Sequence, residues 1–196
     1  MLREFLSSVT LYQLLEKIDK DLANLTRKER CPHCTGPLHW SKYTRKPRGG
    51  PKQPESCCVR HSLCCGQEGC RRRVLPPSCL FCGRRVYWHL VILTILALKE
   101  QRVDGYSARR IRREFGISRK TLNRWLVYYQ EVFPRTRWWQ QLKGFVGIEV
   151  SDQRLPVSLL EHFVFHSSNK DNGFVKCLCF LATGQSEIAS QYLREG

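Results

Sequence analysis

The stretch that decides the fold is Cys31-Pro32-His33-Cys34, followed about thirty residues later by Cys64-Cys65-Gly66-Gln67-Glu68-Gly69-Cys70 and Arg71-Arg72-Arg73. Two cysteine hairpins of this kind supply four thiolates to one tetrahedral Zn²⁺ ion, which holds together a segment too small to have its own core. The sequence therefore predicts a small zinc ribbon of β-hairpins over residues 31–83. The three arginines place positive charge beside it.

The fourth ligand of this site is either Cys65 or Cys64, since both lie at a suitable spacing from Cys70. Cys65 is favoured because Gly66 and Gly69 then both lie inside the turn and let the backbone bend back. The predicted zinc ligands are Cys31, Cys34, Cys65 and Cys70.

A second zinc site is the main alternative. Cys79-Leu80-Phe81-Cys82 repeats the spacing of a knuckle, and Cys57 and Cys58 offer two further thiols. Adjacent side chains diverge in an extended chain, so the Cys57–Cys58 pair is a poor chelate. We expect one zinc ion, with this second site as the open alternative.

The charge of the chain is concentrated in its middle. The net charge is +16, of which residues 31–85 carry +9 and residues 86–136 carry +6. Residues 1–30 have a net charge of +1, and residues 137–196 have a net charge of zero. A basic block between neutral segments indicates a footprint for a polyanion, and counterion release makes nucleic acid the expected partner.

Residues 84–136 are predicted to form three helices. Tyr87–Lys99 is apolar nearly all round and should be buried. Ala108–Phe115 and Arg119–Tyr129 each follow a serine that can cap them, with a tight turn at Gly116 between them. This arrangement predicts a helix-turn-helix whose second motif helix enters the major groove of double-stranded DNA.

The basic side chains divide by their expected contacts. Arginine and lysine can bond guanine edges and asparagine can bond adenine, so the exposed face of the last helix is expected to read bases. The extended basic loop 41–52 is expected either to contact phosphates or to be disordered. The predicted DNA-binding residues are Arg45, Lys46, Arg48, Arg71, Arg72, Arg73, Arg109, Arg113, Arg119, Lys120, Asn123 and Arg124.

The two ends of the chain complete an α+β, mainly α, architecture. Residues 1–30 contain an amphipathic packing helix over 10–28, which Thr10 is expected to begin. Residues 137–196 are expected to form a small α/β tail. Its apolar residues between Trp138 and Val150 either start a strand or complete the core, and Pro156–His166 has helical spacing.

The order of knuckles, basic run, apolar helix and Gly116-Ile117-Ser118-Arg119-Lys120-Thr121-Leu122-Asn123-Arg124-Trp125 resembles the N-terminal DNA-binding part of bacterial insertion-sequence transposases and their accessory proteins. The resemblance covers about residues 31–133. It implies a module that binds the terminal repeats of an element and positions a separate catalytic domain. The partners it implies are double-stranded DNA and either a transposase or a second copy of this chain.

Catalysis is not expected from this chain. A strand-transfer enzyme needs three carboxylates that hold two metal ions, and the tail after Pro134 is too short for such a domain. Glu149 and Asp152 are therefore expected to be surface acids. The alternatives are a truncated or partner-dependent transposase and an RNA-binding zinc protein.

The sequence also indicates where in the cell the protein is expected to be found. It contains no apolar run of the roughly 18–20 residues that a membrane span needs. It has no signal-peptide layout, and its eleven cysteines indicate reduced thiols and metal binding. We expect a cytoplasmic, nucleoid-associated protein.

Overall fold

The structure is a computed structural model that describes residues 6–41, 43–82, 87–100 and 107–193. It is mainly helical with a small antiparallel sheet, which confirms the α+β, mainly α class. The helices are α1 (Val9–Lys28), α2 (His89–Glu100), α3 (Ala108–Glu114), α4 (Arg119–Val127), α5 (Arg137–Leu142), α6 (Val157–Phe165), α7 (Lys170–Thr183) and α8 (Glu187–Leu193). The strands are β1 (Leu38–Trp40), β2 (Tyr43–Thr44), β3 (Val59–Arg60), β4 (Leu63–Cys65) and β5 (Arg73–Val74).

The strands form two small antiparallel sheets. One has the order β1-β4-β5, with Leu38 opposite Cys65 and Leu63 opposite Val74. The other pairs β2 with β3. The pairing of β1 with β4 places the loop before Leu38 next to the loop after Cys65, and these two loops carry the cysteine hairpins.

Helix α1 packs its apolar stripe into the protein. Leu15 and Ile18 are fully buried on this stripe. The predicted start at Thr10 is wrong, because the hydroxyl of Ser8 accepts the bond from the Leu11 amide and caps the helix. Asp19, also buried, accepts hydrogen bonds from the Ser78 hydroxyl and from the Cys79 amide, so α1 is tied to the segment that follows the sheet.

Helix α2 is buried on nearly every side, as its composition predicts. It begins at His89, two residues later than expected. The His89 ring bonds through Nε2 to the Tyr129 hydroxyl at 2.8 Å, which links α2 to the segment that continues α4.

Helices α3 and α4 begin where the sequence predicts. Ser107 accepts from the Arg110 amide, and Ser118 accepts from the Thr121 amide. Gly116 has a φ of +59°, which is the left-handed conformation that the tight turn requires. Beyond Val127 the helix continues as a π-helical segment over Tyr128–Val132.

The described C-terminal part is helical, so the expected α/β tail is wrong. Residues 147–150 form a turn, and the preceding apolar residues lie in α5 and a short 3₁₀ segment, Lys143–Phe145. Trp139 is fully buried on α5, and its indole donates to Asp152 at 2.7 Å. Trp139 and Leu142 are thus the apolar residues of this stretch that enter the core, whereas Phe145 and Ile148 are exposed.

Two separate apolar clusters hold these elements together. The large one joins α1, α2, α4, α6 and α7 with buried residues of the segment after the sheet. The small one contains only Cys31, Leu38, Leu63 and Cys65, with Trp40, Cys70 and Val74 packed against it. The small cluster surrounds the sulfur atoms considered next.

Candidate metal centre and nucleic-acid interface

The four predicted ligands come together at one end of the three-stranded sheet. The sulfur of Cys31 lies 3.9 Å from that of Cys70, and the sulfur of Cys34 lies 3.4 Å from that of Cys65. All four sulfurs lie within 4.8 Å of one another. A tetrahedral ion with metal–sulfur bonds of about 2.3 Å has sulfurs ~3.8 Å apart, so the group is positioned to bind a metal ion.

The first knuckle is shaped by its backbone. The Thr35 amide donates to the Cys31 carbonyl at 2.8 Å, and the Cys31 amide donates to the Gly36 carbonyl at 3.0 Å. A Cβ at Gly36 would come within 3.1 Å of the Cys65 sulfur and 3.3 Å of the Cys34 sulfur. Glycine is needed here because the chain passes directly against the thiols.

The second knuckle selects Cys65 over Cys64. The Cys64 sulfur points to the Arg71 carbonyl at 3.5 Å, away from the other sulfurs. The Gln67 amide donates to the Cys65 sulfur at 3.4 Å, so the backbone of the second knuckle directs a hydrogen-bond donor at this sulfur. Adjacent strand residues face opposite ways, so only one of the two cysteines can join the group.

The alternative second zinc site is not formed. Cys57, Cys58 and Cys79 are buried in the large apolar cluster, and Cys82 packs against it. The Cys79 sulfur contacts the Cys179 sulfur at 3.7 Å. Among the described residues, these four cysteines do not form a metal-ligand group.

The thiols of the Cys31 group differ in acidity. The amide of His33 donates to the Cys31 sulfur, which lowers the pKa of that thiol to about 7. Burial raises the pKa of the Cys65 thiol to about 12. One thiolate therefore forms readily, and a bound cation would stabilise the others as thiolates.

The basic loop is docked against the helical pair. Its Gly50 amide donates to the Phe115 carbonyl at 3.2 Å. A Cβ at Gly49 would lie 3.0 Å from Ile117, and one at Gly50 would lie 2.7 Å from Val91. The two glycines therefore serve close packing, and the segment that carries Arg48 lies next to the turn before α4. Lys42, at the other end of this loop, lies outside the described residues.

The outward face of α4 carries the predicted base-reading side chains. Arg119, Lys120, Asn123 and Arg124 are exposed, while Leu122 and Trp125 are buried on the opposite face. The exposed residues border an open groove of about 820 Å³, which Val127 and Val132 also line. Arg109 and Arg113 are exposed on α3.

The arginine run lies beside the sulfur group. Arg71, Arg72 and Arg73 are exposed, and the Arg72 guanidinium donates to the His33 ring at 3.2 Å. The Arg72 carbonyl accepts from the Cys65 amide at 2.9 Å, so the backbone of the run helps to form the second knuckle. The arginines are thus held close to the candidate metal.

Sequence reasoning missed His162 and His166. They lie four residues apart at the end of α6, within the stretch for which helical spacing was predicted. With Glu149 they form a second group whose possible ligand atoms lie within 4.8 Å of one another. The signal that could have found them is the His-x₃-His spacing inside a predicted helix.

Comparison with protein-family models, with curated proteins and with solved structures finds no match for this chain. No helix among the described residues is both long and apolar enough to cross a membrane.

Proposed function

We propose that this chain is a zinc protein that binds double-stranded DNA and reads its sequence with helix α4. The observation that carries the proposal is the hydrogen bond from the Gly50 amide to the Phe115 carbonyl. It joins the basic loop of the cysteine-rich segment to the turn that begins α4. Arg48 of that loop then lies near the turn that precedes the proposed base-reading face of α4.

The base-reading part of the surface is the exposed face of α4. Arg124 and Asn123 have the chemistry for guanine and adenine edges, and the major groove is wide enough for one helix. Val127 lies one turn further along the same face and is 46% exposed. An apolar side chain at that place can contact the methyl group of thymine.

The phosphate-binding part comes from the cysteine-rich segment. Arg45, Lys46 and Arg48 precede the docked glycines, and the arginine run lies beside the sulfur group. These side chains supply affinity without sequence preference, because phosphates are the same at every step. Zinc is the ion proposed for the sulfur group, since four thiolates in a closed tetrahedral site are typical of structural zinc.

The biological role proposed is that of a transposon-end binder, accessory factor or repressor associated with the nucleoid. This part rests on the resemblance to the DNA-binding region of insertion-sequence transposases. It predicts that DNA sites selected by the protein from a random duplex pool match inverted repeats near its own gene. Selected sites with no such relation would contradict the role and leave DNA binding itself intact.

The test of the DNA proposal is a salt titration of binding to a selected duplex and to a random duplex. Asn123→Ala and Arg124→Ala should each cost about 1–3 kcal/mol on the selected site and far less on the random one. Arg72→Ala should weaken both duplexes alike and reduce the salt slope by about one. Lys143→Ala removes an exposed charge from the neutral C-terminal part and should change neither.

Two outcomes would overturn the proposal. Equal losses on both duplexes for Asn123→Ala and Arg124→Ala would mean that α4 does not read sequence. Preferential binding of single-stranded RNA in direct competition would favour an RNA-binding zinc protein instead.

A further inference from the structure

The end of helix α6 brings two imidazoles and a carboxylate together, far along the chain from the cysteine group. His162 and His166 are four residues apart, so they lie on the same face of the helix, and their ring centroids are 4.6 Å apart. The Glu149 carboxylate lies 2.7 Å from Nδ1 of His162. Leu160, on the opposite face of α6, is buried, which fixes His162 and His166 on the side toward the surface.

The hydrogen bonds of His166 determine which of its nitrogens is available. Its Nδ1 lies 2.9 Å from the His162 carbonyl oxygen. A carbonyl can only accept, so Nδ1 must carry the proton in the neutral ring. Nε2 of His166 then has a free lone pair, which is the form in which imidazole binds a metal ion.

The carboxylate is held against His162 by the local backbone. Glu149 follows Gly147 by two residues, and its carboxylate folds back over that glycine so closely that a Cβ at 147 would collide with it. The backbone amide of Glu149 and the His162 ring both hydrogen-bond to this carboxylate and hold it in place. An anionic oxygen therefore faces the two rings.

We propose that Glu149, His162 and His166 bind one divalent transition-metal ion at a site separate from the cysteine group. One ligand atom from each residue lies within 4.8 Å of the other two, so an ion can contact all three after small side-chain shifts. The ion takes the place of the proton between His162 and Glu149, and that proton moves to Nε2 of His162.

The ligand set selects the class of ion. Two imidazole nitrogens and one carboxylate oxygen suit Zn²⁺, Co²⁺ or Ni²⁺, whereas Mg²⁺ and Ca²⁺ prefer oxygen ligands alone. Three protein ligands leave at least one coordination position open. His162 and His166 also line a groove of about 370 Å³, together with Phe145, Lys176 and Glu187, through which a further ligand could reach such an ion. The site is therefore of the open kind, unlike the closed cysteine group.

The test is a metal titration of the full-length protein whose cysteine group is already filled with zinc. Wild type should bind one further Co²⁺ or Zn²⁺ ion by calorimetry, and the Co²⁺ spectrum should lack the charge-transfer band of thiolate ligands. His162→Ala and His166→Ala should abolish this binding. Glu149→Gln should weaken it at least tenfold, the lower end of the 10–100-fold loss seen when a partner of a metal-bound histidine is removed.

The controls separate loss of the site from loss of the fold. His166 is exposed, so His166→Ala should keep the circular dichroism spectrum and the zinc of the cysteine group. His39→Ala removes an exposed histidine on β1 and should bind the second ion as wild type does. A tenfold excess of Mg²⁺ should not displace the ion.

Three results would overturn the proposal. They are no ion beyond the first in wild type, unchanged binding in His166→Ala, or displacement by Mg²⁺. None of them bears on DNA binding, which uses different residues.

Discussion

The cysteine-rich sheet and the helical core differ in how much apolar surface they bury to remain folded. The sheet has a cluster of only four buried apolar residues, whereas the helices share a continuous core to which most of the chain contributes. A segment with so little apolar surface to bury needs a metal ion or disulfides to remain folded. We expect the helices to need neither, because their shared core buries much more apolar surface.

Cysteine shows this difference most clearly, since both regions use it. Cys31 and Cys65 lie at the centre of the small cluster with their sulfurs turned toward each other. Cys177 and Cys179 are fully buried in the large core, where burial raises the pKa of the Cys177 thiol well above its usual range. A thiol held neutral behaves as a small apolar side chain. Cysteine thus belongs to the candidate metal group in one region and packs as an apolar side chain in the other.

The largest effect is expected from loss of the metal. Cys31→Ser should remove one of the four candidate ligands, lose the ion and unfold the three-stranded sheet β1-β4-β5. Metal binding in small zinc peptides is coupled to folding and contributes on the order of 10 kcal/mol. Hydrogen exchange should show loss of protection in β1, β4 and β5 and retained protection in α6 and α7.

The matched control for this change is Cys64→Ser. Cys64 lies next to a ligand but bonds to the Arg71 carbonyl, and serine can keep that bond. Zinc content by mass spectrometry and exchange protection should stay those of wild type. Loss of zinc in Cys64→Ser, with zinc retained in Cys65→Ser, would reverse the ligand assignment.

The second effect concerns two buried ionisable groups in the large core. Burial lowers the pKa of His89 to about 4, so in acid the unfolded state takes up a proton that the folded state does not. Its contribution to stability therefore falls as the pH decreases from about 6.5 to 4. Burial raises the pKa of Asp19 to about 7, so the folded state keeps a proton that the unfolded state has lost. Its contribution falls as the pH rises from about 4 to 7.

Because the two contributions oppose each other, single variants should reveal each of them. As the pH rises from 4 to 7, the unfolding free energy of Asp19→Asn should increase by roughly 3 kcal/mol relative to that of wild type. Over the same rise in pH, the unfolding free energy of His89→Gln should decrease by a similar amount relative to that of wild type. Urea unfolding of each variant against wild type measures this, and the metal contribution cancels in the difference. Parallel pH profiles for the three proteins would contradict the buried-charge argument.

The sequence predicts the metal group better than the rest of the molecule, for a local reason. Knuckle spacing and the glycines at 36, 66 and 69 act over a few residues, so Cys31, Cys34 and Cys70 could be found without the fold. The serines before α3 and α4 are local signals as well. The apolar residues between Trp138 and Val150 fit a strand or a contribution to the core, and only the tertiary fold decides between them: Trp139 lies in the helical core and bonds to Asp152.

Contacts between distant segments were beyond sequence reasoning. The spacing of Cys79 and Cys82 does not distinguish them from the candidate ligands Cys31 and Cys34, because only tertiary packing places Cys79 against Asp19 of α1 and Cys179 of α7. The docking of Gly49 and Gly50 against the turn before α4 is likewise a contact between distant segments that no local pattern indicates. These contacts are the ones that join the two regions.

The third prediction concerns the contact between the basic loop at Gly50 and the helices. Gly50 has a φ of +86° and a Cβ there would lie 2.7 Å from Val91, so Gly50→Ala should cost about 2–3 kcal/mol through strain and collision together. Gly69→Ala is its control, because φ is +82° but nothing lies within 4 Å, and strain alone should cost about 1 kcal/mol. Gly50→Ala should also weaken DNA binding while leaving every basic residue in place. Equal effects of the two changes would mean that the basic loop is not held against the helices.

The smallest effect is expected at the start of α4. Ser118→Ala removes the hydroxyl that accepts from the Thr121 amide at 3.1 Å, and loss of such a cap typically costs about 1 kcal/mol. Ser107→Ala removes the equivalent cap of α3 and should cost about the same. Both changes lie in the helical region, so they should lower its unfolding free energy in urea without altering the affinity of the cysteine group for zinc, measured by competition with a chelator. If either variant also releases zinc more readily, the sheet and the helices unfold as one unit. The contrast between a metal-held sheet and a self-sufficient helical core would then describe their composition and not their energetics.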